Sequence, residues 1–372
     1  MKVAFDYQMF AAQRYGGVTR YYTALVRELA LLGETPRVIA PLHWNQHLQQ
    51  LPSHLVRGTY VERFLPGKAF YLNVLFNRWS TRLQISVWRP DVVHETYYAA
   101  KRTGPASIPT VVTVYDMIHE LFVHQFSTSD RTSAAKLAAV RRADHIICIS
   151  ANTRDDLIRL LGVPNNRISV VHLGVDVADE ELPIHESQPG PTKFLLYVGD
   201  RRGYKNFTGF LEAFASSSIL RRDLSIIAFG SEPFSAQEVQ LIARLGLAQT
   251  IEYRRGDDFA LDALYREAQA LIYPSLYEGF GLPPLEAMAR GCPVIASDSS
   301  SMPEVIGNAG ALFDPTSLHA MVTAIESVIY SDHRRRTLVH LGRLRAKGFS
   351  WRRCATETLA VYRQVSGDGQ QR

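Results

Sequence analysis

Two glutamates, Glu278 and Glu286, flank a glycine-rich turn in the stretch YPSLYEGFGLPPLEAMARGCPVIAS. The stretch begins as a predicted strand, turns through Gly279, Phe280 and Gly281, and enters a helix with prolines at its first positions. Backbone N–H groups at a helix start, together with the helix dipole, favour an anion such as a diphosphate. The glycines would let phosphates approach the backbone closely.

Glu286 taken alone has a plain structural interpretation. We expect it in the first turn of the helix, where an acid complements the dipole. Paired with Glu278 across the turn, it gives two carboxylates that would bracket a bound nucleotide sugar, one reaching sugar hydroxyls and the other the ribose. The pair is therefore a much more specific indication of a nucleotide-sugar site than either residue alone.

A second cluster is basic and follows the predicted strand in YVGDRRGYKNF. Arg201 and Lys205 come just past the strand end, where cations can hold a pyrophosphate and neutralise the charge that grows on it as it departs. A solvated basic turn would have the same composition. The segment by itself leaves both interpretations open.

The amino-terminal half carries two weaker candidates. Gly16 and Gly17 stand immediately before a predicted helix, where N–H groups can meet a phosphate or an acceptor, although a tight turn needs the same residues. The strand in TVVTVYDMIHE ends in Tyr115 and Asp116, with His119 close behind. His119 is a candidate for a polar contact, and a histidine with a structural role is the alternative.

Short β-branched runs alternate with helix-like stretches, which predicts parallel βαβ units. The predicted strands are VAFDY, PRVIAP, DVVHET, TVVTVYD, HIICIS, ISVVHLGV, KFLLYVGD, LSIIAFG, TIEYRR, ALIYPS, CPVIASD and GALFDP. The predicted helices cover about 18–32, 134–143, 153–161, 207–216, 236–245, 262–268, 284–290 and 351–365. The composition of DEELPIHESQPGPT indicates an interdomain linker. Since ligands bind outside the carboxyl ends of such strands, we expect an α/β fold of two facing Rossmann-like domains with a cleft between them.

The composition agrees with two ordinary globular domains. The 372 residues are many for a single hydrophobic core, and 46% are hydrophobic and 21% charged. Three widely spaced cysteines form no metal-ligand or redox motif, and no apolar run suits a signal peptide or a transmembrane helix. Residues 64–88 mix aromatic residues with Arg78 and Arg82 at helical spacing, which suits either a helix at a membrane surface or a helix packed on a sheet.

The stretch SLYEGFGLPPLEAMARGCPVIAS resembles glycosyltransferase family 4, whose retaining enzymes of the GT-B fold carry two glutamates in an E-G-F-G-x-P-x-x-E setting. The resemblance implies that Glu278 lies near the transferred sugar as a catalytic residue and that Glu286 holds the nucleotide ribose. It also implies that the backbone of Phe280, Gly281 and Leu282 lies near the diphosphate and the sugar.

The resemblance extends to YVGDRRGYKNF. The family has a glycine there, followed by a basic residue and then a lysine, which implies donor binding by Lys205 and matches its glycine to Gly199. Because Asp200 follows the glycine in this chain, Arg201 or Arg202 would have to supply the arginine. We assign that donor-binding role to Arg201.

In the first half the family carries a comparable glycine pair, which implies a donor-binding role for Gly17. Many relatives have a histidine where Tyr115 stands, and that histidine contacts the donor sugar. Asp116 matches an aspartate of the family pattern and His119 lies near it, so both join Glu278 as catalytic candidates. Whether Tyr115 or His119 takes the role of the family histidine stays open.

The resemblance covers almost the whole chain, densely in the second half and more loosely before Ile108. The segment FSWRRCATETLAVY is similar to the closing helix that returns to the first domain in GT-B enzymes. The implied bounds are 1–175 for the acceptor-side domain, 190–350 for the nucleotide-sugar-binding domain and 351–372 for the closing helix.

The forms VYDMIHE and RRGYKN are similar to those of bacterial mannosyltransferases that build O-antigen or capsule. We therefore expect retaining transfer of a hexose, preferably mannose from GDP-mannose, to a glycan or lipid-linked acceptor in surface polysaccharide synthesis. No metal, other cofactor or nucleic acid is expected. We expect a cytoplasmic protein, and a peripheral contact with the inner membrane face stays open.

Two alternatives to this function also stay open. One is a glycosyltransferase that uses a UDP-hexose, and the other is a non-catalytic protein that binds a sugar nucleotide. A Rossmann dehydrogenase or epimerase is disfavoured, because RYGGV follows the first strand where such an enzyme needs G-x-G-x-x-G.

Overall fold

The computed structural model describes residues 1–62, 68–177, 193–230 and 232–367. The chain divides into two compact units. Unit 1 comprises Met1–Gly174 and Trp351–Arg372, and unit 2 comprises Val175–Ser350. The predicted linker DEELPIHESQPGPT lies outside the described residues.

Unit 1 contains a seven-stranded parallel sheet. Its strands are β1 (Lys2–Phe5), β2 (Thr35–His43), β3 (Val56–Tyr60), β4 (Val92–Glu95), β5 (Thr110–Val114), β6 (His145–Cys148) and β7 (Ile168–Val170). They lie in the order β3-β2-β1-β4-β5-β6-β7, so the direction of winding reverses between β1 and β4. Every residue of β4, β5 and β6 is buried, as expected for central strands covered on both faces.

Strand β3 is absent from the predicted strands. It lies at the edge of the sheet, and most of its residues are exposed, so it lacks the apolar run that marks the central strands. Gly58 lies so close to β2 that a Cβ atom there would stand 1.7 Å from the carbonyl oxygen of Ala40. The strand is therefore formed by close backbone pairing, which hydrophobic periodicity does not report.

Unit 2 contains a six-stranded parallel sheet. Its strands are β8 (Phe194–Val198), β9 (Ser225–Phe229), β10 (Ile251–Arg254), β11 (Ala270–Tyr273), β12 (Val294–Ser297) and β13 (Gly310–Phe313). They lie in the order β10-β9-β8-β11-β12-β13, so winding reverses between β8 and β11. The prediction of two Rossmann-like parallel sheets is confirmed.

Helices connect the strands in both units. Those before the second sheet are α1 (Gln8–Ala12), α2 (Gly17–Leu31), α3 (Lys68–Trp88), α4 (Ile118–Leu121), α5 (Thr132–Arg142) and α6 (Ala151–Leu161). Those of unit 2 are α7 (Phe207–Ser216), α8 (Ser218–Asp223), α9 (Ala236–Arg244), α10 (Asp258–Glu267), α11 (Leu282–Ala289), α12 (Met302–Ile306), α13 (Leu318–Ile329) and α14 (Asp332–Lys347). Helix α7 packs Phe207, Phe210 and Phe214 into the main core of unit 2, because these positions follow the helical period. Within the described part of the chain, none of the helices has the length and apolarity needed to cross a bilayer.

The last helix, α15 (Trp351–Ser366), belongs to unit 1. The hydroxyl of Tyr362 lies 2.6 Å from Nδ1 of His94 at the centre of the sheet, and Arg363 donates to Glu34 at 2.9 Å. The ring of Trp351 packs beside that of Tyr21 on α2. The prediction that the closing helix returns to the first domain is therefore confirmed.

Candidate functional site

The strongest candidate site lies at the carboxyl ends of β8 and β11 in unit 2. The two strands are direct neighbours, with Leu195 paired to Ala270 and Tyr197 to Ile272. The loops that follow them must therefore emerge side by side. Because winding reverses at this point, the flanking crossovers diverge and leave a crevice where ligands of doubly wound sheets bind.

These two loops bring a lysine and a glutamate together. Nζ of Lys205 donates to both carboxylate oxygens of Glu278, at 2.8 and 3.0 Å. Both side chains are largely buried, with exposed fractions of 15% for the lysine and 9% for the glutamate. Burial acts to lower the pKa of Lys205, but the facing carboxylate outweighs it and raises the pKa above the ordinary value. Lys205 is thus held as an ammonium that faces Glu278.

Two tyrosines line this pair. Nζ of Lys205 lies 5.5 Å from the ring centre of Tyr204 and 5.7 Å from that of Tyr273, at cation–π distance. Burial raises the pKa of Tyr273 well above its ordinary value, and the negative charge of Glu278 raises it further. Tyr273 therefore keeps its proton and hydrogen-bonds Glu278.

Asn206 fixes the lysine loop against the glutamate loop. Its backbone is left-handed, with φ 54°, and it ends a short 3₁₀ turn at Gly203–Lys205. Its side-chain amide donates to the carbonyls of Pro274 at 3.1 Å and Pro315 at 2.9 Å. Asn206 was not predicted from the sequence, although asparagine adopts the left-handed conformation more readily than most residues.

Two serines, neither of them predicted from the sequence, hold the glutamate loop from the other side. The hydroxyl of Ser300 accepts from the backbone N–H of Glu278 at 2.8 Å. The hydroxyl of Ser301 lies 3.0 Å from the carbonyl oxygens of both Glu278 and Phe280. Since the chain supplies these contacts from beyond β12, no local pattern around Glu278 reports them.

Gly281 is the residue that allows the loop to enter α11. Its φ of 106° favours glycine, and an added Cβ would stand 2.5 Å from Cε of Met302. Helix α11 begins at Leu282, with proline in its first turn. The predicted turn, with Phe280, Gly281 and Leu282 at the helix start, is therefore formed, and contact of this backbone with a donor stays a prediction.

Glu286 does not lie where the sequence analysis put it. Helix α11 has no acidic residue in its first turn, because the helix begins at Leu282 and Glu286 falls one turn later. The interpretation of Glu286 as a dipole-complementing residue is therefore wrong. Its side chain is 8% exposed, and Oε2 accepts from the hydroxyl of Tyr265 at 3.1 Å.

Lys205 and Glu278 thus form one site at the carboxyl ends of two central strands of unit 2. Glu286 follows in α11, and its place in the same site stays a prediction. The pair provides a cation and a carboxylate among tyrosine rings, which is suited to a ligand that carries both anionic and hydroxyl groups.

The neighbouring arginines have partners outside this pair. Arg201 donates to Glu238 at 2.6 Å and to the carbonyls of Glu232 and Pro233 at 2.8 and 2.7 Å. Arg202 pairs with Asp200. Arg201 thus holds the loop before α9, and a donor-binding role for it stays a prediction.

The glycine pair of unit 1 stands at the start of α2. Gly17 is the first helical residue, and Gly16 precedes it with extended backbone. The hydroxyl of Thr19 and the N–H of Arg20 donate to the carbonyl of Gly16 at 2.9 and 3.0 Å. An added Cβ at Gly16 would meet the flexible end of the Gln13 side chain, which can move aside, so packing alone does not require glycine there. Donor binding by Gly17 stays a prediction.

Tyr115 directs its hydroxyl into the core of unit 1. The hydroxyl lies 2.7 Å from the hydroxyl of Tyr22 and 2.9 Å from the carbonyl oxygen of Thr96, and its one proton is shared between these two acceptors. Burial raises the pKa of Tyr115 well above its ordinary value. The structure thus places this hydroxyl in an internal network.

Asp116 and His119 lie on the segment that follows β5. The side-chain Oδ1 of Asp116 accepts from the N–H of Ile118 at 3.0 Å. The backbone carbonyl of Asp116 accepts from Nζ of Lys136 at 2.8 Å. The ring of His119 stacks on Phe126, with ring centres 4.1 Å apart, and Nε2 lies 3.4 Å from Asp130. Catalytic roles for Asp116 and His119 stay predictions.

Lys136, which was not predicted from the sequence, ties this segment to α5. Its side chain is 1% exposed, and Nζ donates to Glu120 at 2.6 Å as well as to Asp116. The available signal was a lone lysine in the apolar run AAKLAAV of a helix that packs on the sheet. A buried lysine of this kind requires an anionic partner.

Within the four described ranges, no group of three or more histidine, cysteine, aspartate or glutamate side chains is placed to hold a metal ion. The predicted independence from metals and other cofactors stays a prediction. Lys205 is the described cation in direct contact with Glu278.

The chain has two Rossmann-like units with parallel sheets, and a lysine and a glutamate meet at the switch point of the second. This is the architecture of a GT-B glycosyltransferase. Residues 15–179 match Glycosyltransferase Family 4 and residues 179–345 match Glycosyl transferases group 1. The chain belongs to this family of glycosyltransferases, and the resemblance noted from its motifs is confirmed.

Individual relatives agree with this assignment. The chain is 30% identical to the O-antigen chain mannosyltransferase B of Escherichia coli, over 93% of this chain and 96% of that protein. It is 29% identical to the O-antigen chain mannosyltransferase RfbU of Salmonella typhimurium, over 51% of this chain and 52% of that protein. The crystal structure of Anabaena Alr3699/HepE in complex with UDP-glucose has a similar fold, with a TM-score of 0.69, 16% identity and full coverage of both chains.

Proposed function

We propose that this glycosyltransferase moves a mannosyl group from GDP-mannose, with retention of anomeric configuration, to a glycan or lipid-linked acceptor in surface polysaccharide synthesis. The observation that carries the proposal is the contact between Lys205 and both oxygens of Glu278 at the switch point of unit 2. The choice of mannose is supported by the names of the two mannosyltransferases to which the chain is similar.

The residues of unit 2 suit the departure of a nucleoside diphosphate. When the bond between the anomeric carbon and the diphosphate oxygen breaks, negative charge grows on the leaving group and positive charge on the sugar. Lys205 would donate hydrogen bonds to the departing diphosphate, and the Glu278 carboxylate would stabilise the positive sugar. Preorganised charges of this kind act strongly in a site that excludes water.

The second step of the proposal forms the new glycosidic bond. The acceptor hydroxyl oxygen attacks the anomeric carbon on the face from which the diphosphate leaves, and its proton passes to the departing phosphate oxygen. This route needs no nucleophilic side chain. Glu286 would accept hydrogen bonds from the ribose hydroxyls, since it is buried and Tyr265 holds Oε2.

The donor nucleotide has one specific alternative. The HepE structure, which shares the fold, was solved with UDP-glucose, so a UDP-hexose is the second candidate donor. The roles of Lys205 and Glu278 would be the same with either donor, because both donors leave as a nucleoside diphosphate.

We also propose that the reaction takes place in the cytoplasm. Cys148, Cys292 and Cys354 are all buried and free, with no disulfide between them. Free thiols are typical of a reducing compartment.

The decisive experiment compares GDP-mannose with UDP-glucose on the purified full chain, across a panel of lipid-linked oligosaccharide acceptors. We expect GDP release coupled to product formation, and NMR of the product should show the α configuration of the donor. Glu278→Gln should abolish turnover, whereas Glu252→Gln, at an exposed glutamate of the same unit, should not. Transfer from neither donor would contradict the assignment, and an inverted product would contradict retention alone.

A further inference from the structure

The face of helix α3 that packs on the sheet is partly polar, whereas a helix that covers a sheet usually buries an apolar face. The buried side chains at its centre are Asn77, Thr81 and Ile85, and two of these three are polar. Asn77 accepts from the N–H of Leu42 at 2.8 Å and donates to its carbonyl at 3.0 Å. Thr81 donates to the carbonyl of Ile39 at 3.4 Å. The helix is therefore fastened to β2 through hydrogen bonds on a partly polar stripe.

The opposite face of α3 is large, apolar and exposed. Its side chains and their exposed fractions are Leu72 66%, Leu75 59%, Phe76 45%, Trp79 65%, Leu83 50% and Val87 76%. The positions recur at the helical period and so form one continuous stripe, about 22 Å long from first to last. Contiguous exposed apolar stripes of this size mark interaction surfaces.

The charged residues beside this stripe indicate what kind of partner binds it. Arg78 and Arg82 are exposed along one side of the stripe, and α3 contains no aspartate or glutamate in KAFYLNVLFNRWSTRLQISVW. A second copy of the chain docked on the same face would bring arginines against arginines, with no carboxylate in either helix to neutralise them. An anionic lipid surface supplies negative phosphates beside an apolar interior, which matches both parts of the helix.

We propose that the outer face of α3 docks unit 1 on an anionic lipid bilayer. Phe76, Trp79 and Leu83 enter the boundary between headgroups and acyl chains, while Arg78 and Arg82 contact lipid phosphates. The helix lies in the plane of the surface, as amphipathic interfacial helices do. The proposal does not rest on the donor or on catalysis, so lipid binding is measurable without substrate.

The test is co-sedimentation of the full chain with vesicles of phosphatidylcholine alone or mixed with phosphatidylglycerol. We expect binding to the mixed vesicles and little binding to phosphatidylcholine. Trp79→Ser combined with Leu83→Ser should weaken binding at least about tenfold, because two large apolar side chains are removed from the boundary. Arg78→Ser combined with Arg82→Ser should weaken binding to the mixed vesicles about 30-fold.

A matched control is available in unit 2. Phe259 and Leu344 have exposed fractions of 84% and 53%, similar to those of Trp79 and Leu83, but lie outside α3. Phe259→Ser combined with Leu344→Ser should leave vesicle binding unchanged. Circular dichroism establishes that each variant is folded.

Three results would overturn the proposal. The first is failure of the wild-type chain to sediment with the mixed vesicles. The second is equal binding by Trp79→Ser/Leu83→Ser and the wild type. The third is a concentration-dependent dimer in analytical ultracentrifugation that this variant abolishes while vesicle binding stays unchanged, which would assign the face to a second copy.

Discussion

Replacing Lys205 with methionine should separate the structural from the catalytic contribution of its contact with Glu278. The two side chains are largely buried, and Nζ reaches both carboxylate oxygens. Removing one partner of such a pair leaves an uncompensated charge, which costs about 3 kcal/mol. We expect this loss in the free energy of unfolding for Lys205→Met and for Glu278→Gln.

The double variant Lys205→Met/Glu278→Gln should behave differently in the two assays. With both charges removed, most of the lost stability should return, leaving a loss of about 1 kcal/mol, so the coupling in a double-mutant cycle should be about 5 kcal/mol. Turnover should not return, because the departing diphosphate still lacks its cation. We expect kcat to fall about 10²- to 10³-fold in Lys205→Met and at least as far in the double variant.

The measurements are urea denaturation followed by circular dichroism and steady-state nucleotide release. The control is the ion pair of Arg290 and Asp262, 2.5 Å apart in the same unit, replaced as Arg290→Met and Asp262→Asn. These variants should lose stability with little change in kcat. If turnover recovered together with stability in the Lys205→Met/Glu278→Gln variant, the pair would be purely structural and the reasoning refuted.

Three further predictions follow from the described contacts. Glu286→Gln should raise the KM for the donor about tenfold with little loss of stability, because the amide oxygen can still accept from Tyr265 while the charge is lost; an unchanged KM would contradict ribose binding. Gly281→Ala should lower the free energy of unfolding by about 1 to 3 kcal/mol, measured by urea denaturation, because the φ of 106° is strained for alanine and its Cβ would meet Met302. Burial lowers the pKa of His94 to about 3, so the unfolded chain binds its proton first as the pH falls below about 6.5; stability should therefore drop by up to about 1.4 kcal/mol per pH unit down to about pH 3. Urea titrations from pH 7 to pH 4 should show this slope reduced in His94→Gln, and equal slopes would contradict the assignment.

Much of the fold could be predicted because its signals are local. Helix α7 has the predicted bounds 207–216, since its phenylalanines recur at the helical period. The central strands are continuous apolar runs, and the turn at Gly281 is marked by glycines before a proline-rich helix start. Edge strand β3 could not be predicted, because it has no such run. The position of Glu286 within α11 could not be predicted either, because the helix begins a residue or two before the predicted start.

The sequence by itself determined the architecture and the chemical groups at the site: two parallel sheets, and Lys205 and Glu278 in the loops after two strands. Only the tertiary structure made β8 and β11 neighbours and so placed these two residues in contact.

The same division holds for α3. Its sequence suited both a membrane surface and a sheet, because helical periodicity places residues on faces without stating which face is covered. The hydrogen bonds of Asn77 and Thr81 with β2 turn the polar stripe inward and leave the apolar stripe outside. Such contacts join residues far apart in the chain, so they exist only once the sheet has formed.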